Sequence, residues 1–234
     1  MKRLNLQKHP NLLPVIRWAK QSAWRAVTII VLTVIAVPPY ALQQNKLTEL
    51  MLSTYGEEGA QYLRAWFNLI DTQKNTDTQH QLKNVNQFFN LGLTFSDDRL
   101  LWKEKDYWAT PLQTMGVRGG DCEDYTIAKY FSLLELGIPA EKLRLIYVRA
   151  NTGGIVQAHM VLGYFATPND EPLILDNLIP KILPASQRTD LTPVFSFNSQ
   201  GLWLGGSKST SDPTARLSRW RDVLQRMQAE GFTL

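Results

Sequence analysis

Gly119-Gly120-Asp121-Cys122-Glu123-Asp124-Tyr125 is the stretch from which the rest of the chain can be read. The paired glycines let the backbone turn sharply. Just downstream, Ile127, Tyr130, Phe131 and Leu134 recur at i, i+3, i+4 and i+7, the apolar stripe of an amphipathic helix. Gly137 and Pro139 end it. Cys122 therefore falls in the first turn of that helix. Unpaired backbone N–H groups and the helix dipole favour a thiolate there. The same N–H groups can serve an oxyanion during acyl transfer.

Three strands are predicted after the helix, at Leu143–Arg149, Ala158–Phe165 and Pro172–Asp176, each rich in Val, Ile, Leu or Tyr. Asn151–Gly154 reads as the turn between the first two, and Thr167–Glu171 joins the next pair. Upstream, residues 43–70 carry Leu47, Leu50, Met51, Leu63, Phe67 and Ile70 at helical spacing, interrupted around Gly56 and Gly59. Asp71–Gln81 is polar and reads as a loop. A second helix is expected over Leu82–Asn90, irregular chain over Phe95–Pro111, and a last helix over Ala215–Glu230. Helices, then a cysteine-bearing helix, then an antiparallel sheet make an α+β fold. No internal repeat or low-complexity linker divides the chain.

Cys122 is the only cysteine in 234 residues. It cannot form an internal disulfide, so in an exported protein it is buried and inert, paired between molecules, or reactive. A reactive thiol needs a base. Of three histidines, His9 lies near the N-terminus and His80 in the polar loop. His159 opens the apolar run Ala158-His159-Met160-Val161-Leu162. It is either a satisfied strand residue or the base. Asp176 ends Leu173-Ile174-Leu175-Asp176-Asn177, where an acid is costly unless paired. It either caps a turn or orients His159.

Asp121, Glu123 and Asp124 crowd three carboxylates around the thiol and would raise its pKa. They either complement the helix dipole or, with bound Ca²⁺, form a hard-cation site that pins the loop. One Cys and scattered His residues do not make a zinc site. Gly205-Gly206-Ser207-Lys208 lacks the spacing of a phosphate-binding loop. Trp203 is a candidate contact for a regulator, or simply a buried ring.

The pI near 9.1 is unevenly built. Lys2, Arg3, Lys8, Arg17, Lys20 and Arg25 precede any acidic residue. The rest of the chain holds 19 basic residues against all 21 acidic ones, about −2 overall. A body so charged has no general attraction for a phosphate backbone, which argues against a nucleic-acid binder. Ala26–Val37 is apolar and uncharged, and shorter than a full membrane span. Residues 1–42 read as a signal peptide or an uncleaved signal anchor, with a buried core helix as the alternative. In the export readings, residues 43–234 form a domain outside the cytoplasm, soluble in the periplasm or tethered to the inner membrane.

Several segments together resemble a known family. They are Asp106-Tyr107-Trp108-Ala109-Thr110-Pro111, the stretch 119–125, Ala158-His159-Met160-Val161, Leu175-Asp176-Asn177, Pro184-Ala185-Ser186 and Phe195-Ser196-Phe197-Asn198. In this order they resemble the bacterial transglutaminase-like cysteine proteinases, and within them the LapG type. The resemblance covers roughly residues 82–204. It implies a papain-like, transglutaminase-like core with a triad of Cys122, His159 and Asp176. It also implies Ca²⁺ dependence, with Asp121 and Glu123 among the ligands, and periplasmic action. The implied substrate is a large surface adhesin, cut in its N-terminal region so that it is released and the biofilm disperses. The implied regulator is an inner-membrane cyclic-di-GMP receptor of LapD type that sequesters the protease. A protein-crosslinking transglutaminase, a cell-wall peptide hydrolase and a catalytically dead binding module are the competing readings on the same core.

Overall fold

The computed structural model describes residues 39–204 and 207–233, with side chains from residue 43. The basic leader and the apolar run 26–37, expected as a signal peptide or anchor, lie outside the described residues. No helix among the described residues is long and apolar enough to cross a membrane.

The helical half of the chain comes first. It comprises α1 (Pro39–Gln73), α2 (Thr78–Gly92), β1 (Thr94–Phe95), α3 (Asp98–Leu101), α4 (Pro111–Val117), β2 (Gly119–Gly120) and α5 (Cys122–Glu135). The sheet half follows as β3 (Leu143–Thr152), β4 (Ile155–Tyr164), β5 (Leu173–Leu175), β6 (Leu183–Pro184), β7 (Leu191–Asn198), β8 (Gly201–Leu204) and β9 (Ser207–Lys208). The short α6 (Pro213–Arg216) and α7 (Ser218–Glu230) close the chain. The α+β fold with a cysteine-bearing helix on an antiparallel sheet is as expected.

Some boundaries differ from the sequence reading, for identifiable reasons. The polar stretch 71–81 is mostly helical, because Asp77 caps α2 by accepting from the His80 N–H at 3.0 Å. Only residues 74–77 are left to connect α1 and α2. α1 breaks where the glycines suggested, at Gly56, whose φ of 71° leaves the helical region. The last helix is split at Leu217. Strands β6 to β9 were not predicted as strands. Two of them are only two residues long, too short to show a period.

The sheet runs β6-β5-β4-β3-β7-β8-β9, antiparallel throughout. Its longest pairing joins β3 and β4, from Leu143 opposite Tyr164 to Thr152 opposite Ile155. Gly153 and Gly154 make that hairpin's two-residue turn with φ of 61° and 91°. Positive φ at both positions suits a turn whose twist matches the strands.

Pleating divides the sheet's side chains between two apolar clusters. Leu143, Leu145, Leu162, Leu175 and Phe197 join the helices in the main core. Ile146, Val148, Val161 and Ile174, with Phe165, form a second cluster on the face turned away from the helices.

Specific contacts fix α5 between its neighbours. Thr126 Oγ1 is 2.8 Å from the Cys122 carbonyl and 3.1 Å from that of Met160, tying the first turn of α5 to β4. The Trp66 indole N–H donates to Ser132 Oγ at 2.7 Å, linking α1 to α5. Trp220 of α7 is fully buried and packs on Tyr130, Phe131 and Phe197. Trp220→Ala removes this ring from three neighbours and should cost about 3–5 kcal/mol. Urea unfolding of the variant beside the wild type measures that loss.

Candidate active site

The start of α5 is held by unusually close packing. Gly119 and Gly120 pair in parallel with Thr94 and Phe95. A Cβ on Gly120 would lie 2.6 Å from Asp124 Cβ and Oδ2. Only glycine leaves room there for the Asp124 carboxylate. That carboxylate is buried and accepts from the Ala109 N–H at 2.7 Å and the Asp121 N–H at 3.3 Å. Asp124 is thus a structural cap joining α5 to the segment before α4.

Cys122, the first residue of α5, is half-buried. Its thiol donates to Glu123 Oε2 at 2.8 Å. Burial first, and then the charges of Glu123 and Asp121, push the thiol pKa well up. The Met160 backbone N–H works in the opposite direction. The expected repulsion of the thiolate by neighbouring carboxylates is therefore borne out.

His159 lies on β4 and is 3% exposed. Its Nε2 is 2.8 Å from Asp176 Oδ1. Asp176 follows β5 and is itself buried. Its Oδ1 also accepts from the Leu178 N–H at 3.0 Å, and its Oδ2 from Arg188 Nη2 at 2.6 Å. Its carbonyl accepts from Asn90 Nδ2 of α2 at 2.7 Å. Burial alone would raise the Asp176 pKa. The hydrogen bond and charge of His159, together with the Leu178 and Arg188 donors, outweigh it and hold the pKa at about 2. Asp176 does both things that the sequence left open: it caps the turn after β5 through the Leu178 N–H and it pairs with His159.

Cys122 and His159 line one cavity of about 630 Å³. Trp108, Tyr147, Phe195 and Asp121 are also in its wall. The structure thus brings together at one opening the candidate nucleophile and base, with Asp176 behind the base. His80 sits apart as expected, exposed and bonded to Asp77 at 2.7 Å. His9 lies outside the described residues. Trp203 is partly buried, with the Arg144 guanidinium 4.1 Å from its ring centroid.

Carboxylates gather beside the thiol more densely than the sequence suggested. Ligand oxygens of Asp98, Asp121 and Asp124 lie within 4.8 Å of one another, as do those of Asp98, Asp106 and Glu123. Asp98 is buried; its Oδ2 accepts from the Tyr107 N–H at 2.7 Å, while its Oδ1 has no partner. Asp121 Oδ1 is likewise buried and unpartnered. Burial pushes Asp98 up to about 6, with Glu123 and Asp106 adding to the rise. Burial and the charges of Glu123, Asp124 and Asp98 push Asp121 up to about 10. Orphaned carboxylate oxygens in an all-oxygen cluster fit a hard divalent cation.

Asp98, Asp106, Arg188 and the buried Lys129 were missed by sequence reasoning. Lys129 lies within α5, where burial lowers its pKa to about 7 against an upward pull from Asp176. An unpaired charged residue inside an apolar stripe was its one available signal.

These features place a cysteine at a helix start and a buried histidine–aspartate pair around one cavity. The chain belongs to the bacterial transglutaminase-like cysteine proteinases, whose family profile matches residues 65–200. Among solved structures it is similar to Legionella pneumophila LapG, with 41% identity and a TM-score of 0.69 over 79% of this chain and 97% of that one. An EGTA-treated form of the same protein matches equally. The calcium-bound form matches at 42% identity and a TM-score of 0.68, over 79% and 98% of the two chains. No curated protein matches the chain significantly.

Two outcomes are expected. The Asp176 pKa is depressed on folding, so its contribution is present above the unfolded value near 3.8 and lost as pH falls toward about 2. A shift of this size is worth on the order of 2 kcal/mol. Stability measured by denaturant between pH 5 and 2 should fall less steeply for Asp176→Asn than for wild type. Asp98 is shifted the opposite way, so in chelator its ionised form disfavours the fold once pH rises through about 4–6. Asp98→Asn should therefore melt at or above the wild-type temperature in chelator at pH 7, and should lose any stabilisation by added divalent cation.

Proposed function

We propose that this chain is a calcium-dependent cysteine endopeptidase of the periplasm that cuts the N-terminal region of a large surface adhesin. Release of the adhesin would promote biofilm dispersal. An inner-membrane receptor of LapD type, responding to cyclic-di-GMP, would restrain the enzyme by sequestering it. The observation that carries the catalytic part is the buried His159–Asp176 pair opening onto the same cavity as Cys122. Likeness to LapG over nearly that protein's whole length supports the choice of substrate and regulator.

Catalysis would proceed by acyl transfer to water. His159 holds Asp176 through Nε2, which leaves Nδ1 to take the thiol proton. The Cys122 thiolate attacks the peptide carbonyl carbon and a C–S bond forms. The backbone N–H of Cys122, at the start of α5, would donate to the developing oxyanion. The C–N bond then breaks as the imidazolium protonates the leaving amine. Water, deprotonated by His159, resolves the thioester. Asp176 keeps the imidazole in one tautomer throughout. Asp121 and Glu123, with Asp98 beneath them, would hold Ca²⁺, whose charge offsets the carboxylates that otherwise oppose thiolate formation.

The test is to incubate the full chain with the N-terminal region of a large adhesin from the same genome, with Ca²⁺ or with chelator, and to identify products by mass spectrometry. A single cut by the wild type with Ca²⁺, lost in Cys122→Ala and in chelator, is the expected result. Asp176→Asn should lower kcat/KM by roughly 10³–10⁴-fold. Crosslinked products in place of fragments would reassign the chain to amine transfer. No cut by wild type with Ca²⁺ present would remove the adhesin as substrate.

A further inference from the structure

Trp108, in the wall of the cavity at Cys122, belongs to a stretch without helix or strand between α3 and α4. Side chains from three different helices hold the backbone there. The Tyr107 N–H donates to Asp98 of α3 at 2.7 Å, and the Ala109 N–H to Asp124 of α5 at 2.7 Å. Between them, the Trp108 carbonyl accepts from Arg226 Nη2 of α7 at 2.5 Å. The Trp108 ring stacks on Phe197 with centroids 5.8 Å apart. The position of this wall therefore depends on charged side chains more than on regular structure.

Arg226 spends its whole guanidinium on this task. Nε donates to Asp222 Oδ2 at 2.9 Å, one helical turn away. Nη1 donates to the Tyr107 hydroxyl at 3.0 Å and to Gln113 Oε1 of α4 at 2.5 Å. The guanidinium carbon also lies 4.6 Å from the Tyr107 ring centroid, within cation–π range. A planar fork can meet oxygens on several sides at once; a lysine ammonium offers all its donors from one point. Arg219, seven residues earlier on the same helix face, bonds the Asp106 carbonyl at 3.2 Å and its carboxylate at 2.9 Å. That pair is about half exposed and contributes less. Both arginines stand on a helix that the buried Trp220 fixes to the core.

Taking the cavity at Cys122 as the protease site, we propose that Arg226 is a positioning residue for it. From the C-terminal helix, Arg226 sets the place of the Trp108 wall against which the substrate peptide lies. It touches neither the thiol nor the imidazole, so it acts on binding. A wall that meets the peptide both before and during acyl transfer stabilises both states, and its misplacement raises KM while sparing kcat.

The test compares the full chain with Arg226→Lys, which keeps the charge and loses the fork. Hydrogen exchange read by mass spectrometry needs no substrate. The Tyr107 and Ala109 amides should exchange at least about tenfold faster in the variant, with α5 protected as in wild type. In cleavage of the adhesin's N-terminal region with Ca²⁺, KM should rise at least about tenfold, with kcat within about threefold of wild type. Trp108→Leu should raise KM as well, and adding Arg226→Lys to it should change KM less than about twofold further. Unchanged exchange at residues 107–109 would overturn the proposal. So would a lower kcat at unchanged KM, the sign of a merely less folded enzyme, or full additivity of the two substitutions. If the wild type cuts no adhesin, the protease reading falls by itself, and the exchange measurement still decides whether Arg226 holds this wall.

Discussion

A carboxylate buried to 1% exposure can stay ionised only if donors surround it, and Asp176 recruits them from widely separated parts of the chain. His159 comes from β4, Leu178 from the loop after β5, and Arg188 from the segment before β7. The carbonyl of the same residue receives Asn90 from α2. One residue therefore positions the imidazole, anchors a helix and fixes the course of the chain between β5 and β7. Removing it would leave Arg188 buried with only Asp190 to answer its charge. Architecture and chemistry meet in these few hydrogen bonds.

The thiol presents the opposite electrostatic situation. A helix N-terminus favours a negative charge, but the same turn carries Asp121, Glu123 and Asp124, and the fold adds Asp98 and Asp106. Repulsion over a few ångströms in partly desolvated surroundings exceeds what the helix end can offer. A positive charge bound in the carboxylate cluster would shift that balance toward the thiolate. In the proposed reading, a cation there would act on the thiol through groups that never touch the scissile bond.

Much of this was legible in the residues. The glycine pair, the cysteine and the stripe of Ile127, Tyr130, Phe131 and Leu134 placed α5 and its first turn. Having one cysteine and three histidines reduced the search for a base to His159. The pairing of His159 with Asp176 followed from two neighbouring apolar strands, which the register confirms by setting Leu162 against Leu175. What stayed hidden has a common physical character. Asp98 and Asp106 come from a segment with no period, where position is dictated by side-chain bonds such as Asp98 to the Tyr107 N–H. Arg188 sits among polar residues where an arginine is ordinarily solvated, and only the three-dimensional path buries it. The polar stretch 71–81 looked like a loop because composition outweighed the cap at Asp77.

The ends of the sheet carry a consequence for the molecule's behaviour at high concentration. Its outermost strands, β6 and β9, have two residues each. One contains Pro184, which has no N–H to offer, and the other Lys208, whose charge must stay hydrated. An open sheet edge is normally a template on which a foreign strand can grow. Here each template is cut short and chemically blunted, so a long central hairpin rich in Val, Ile and Leu can exist without inviting fibrous self-association.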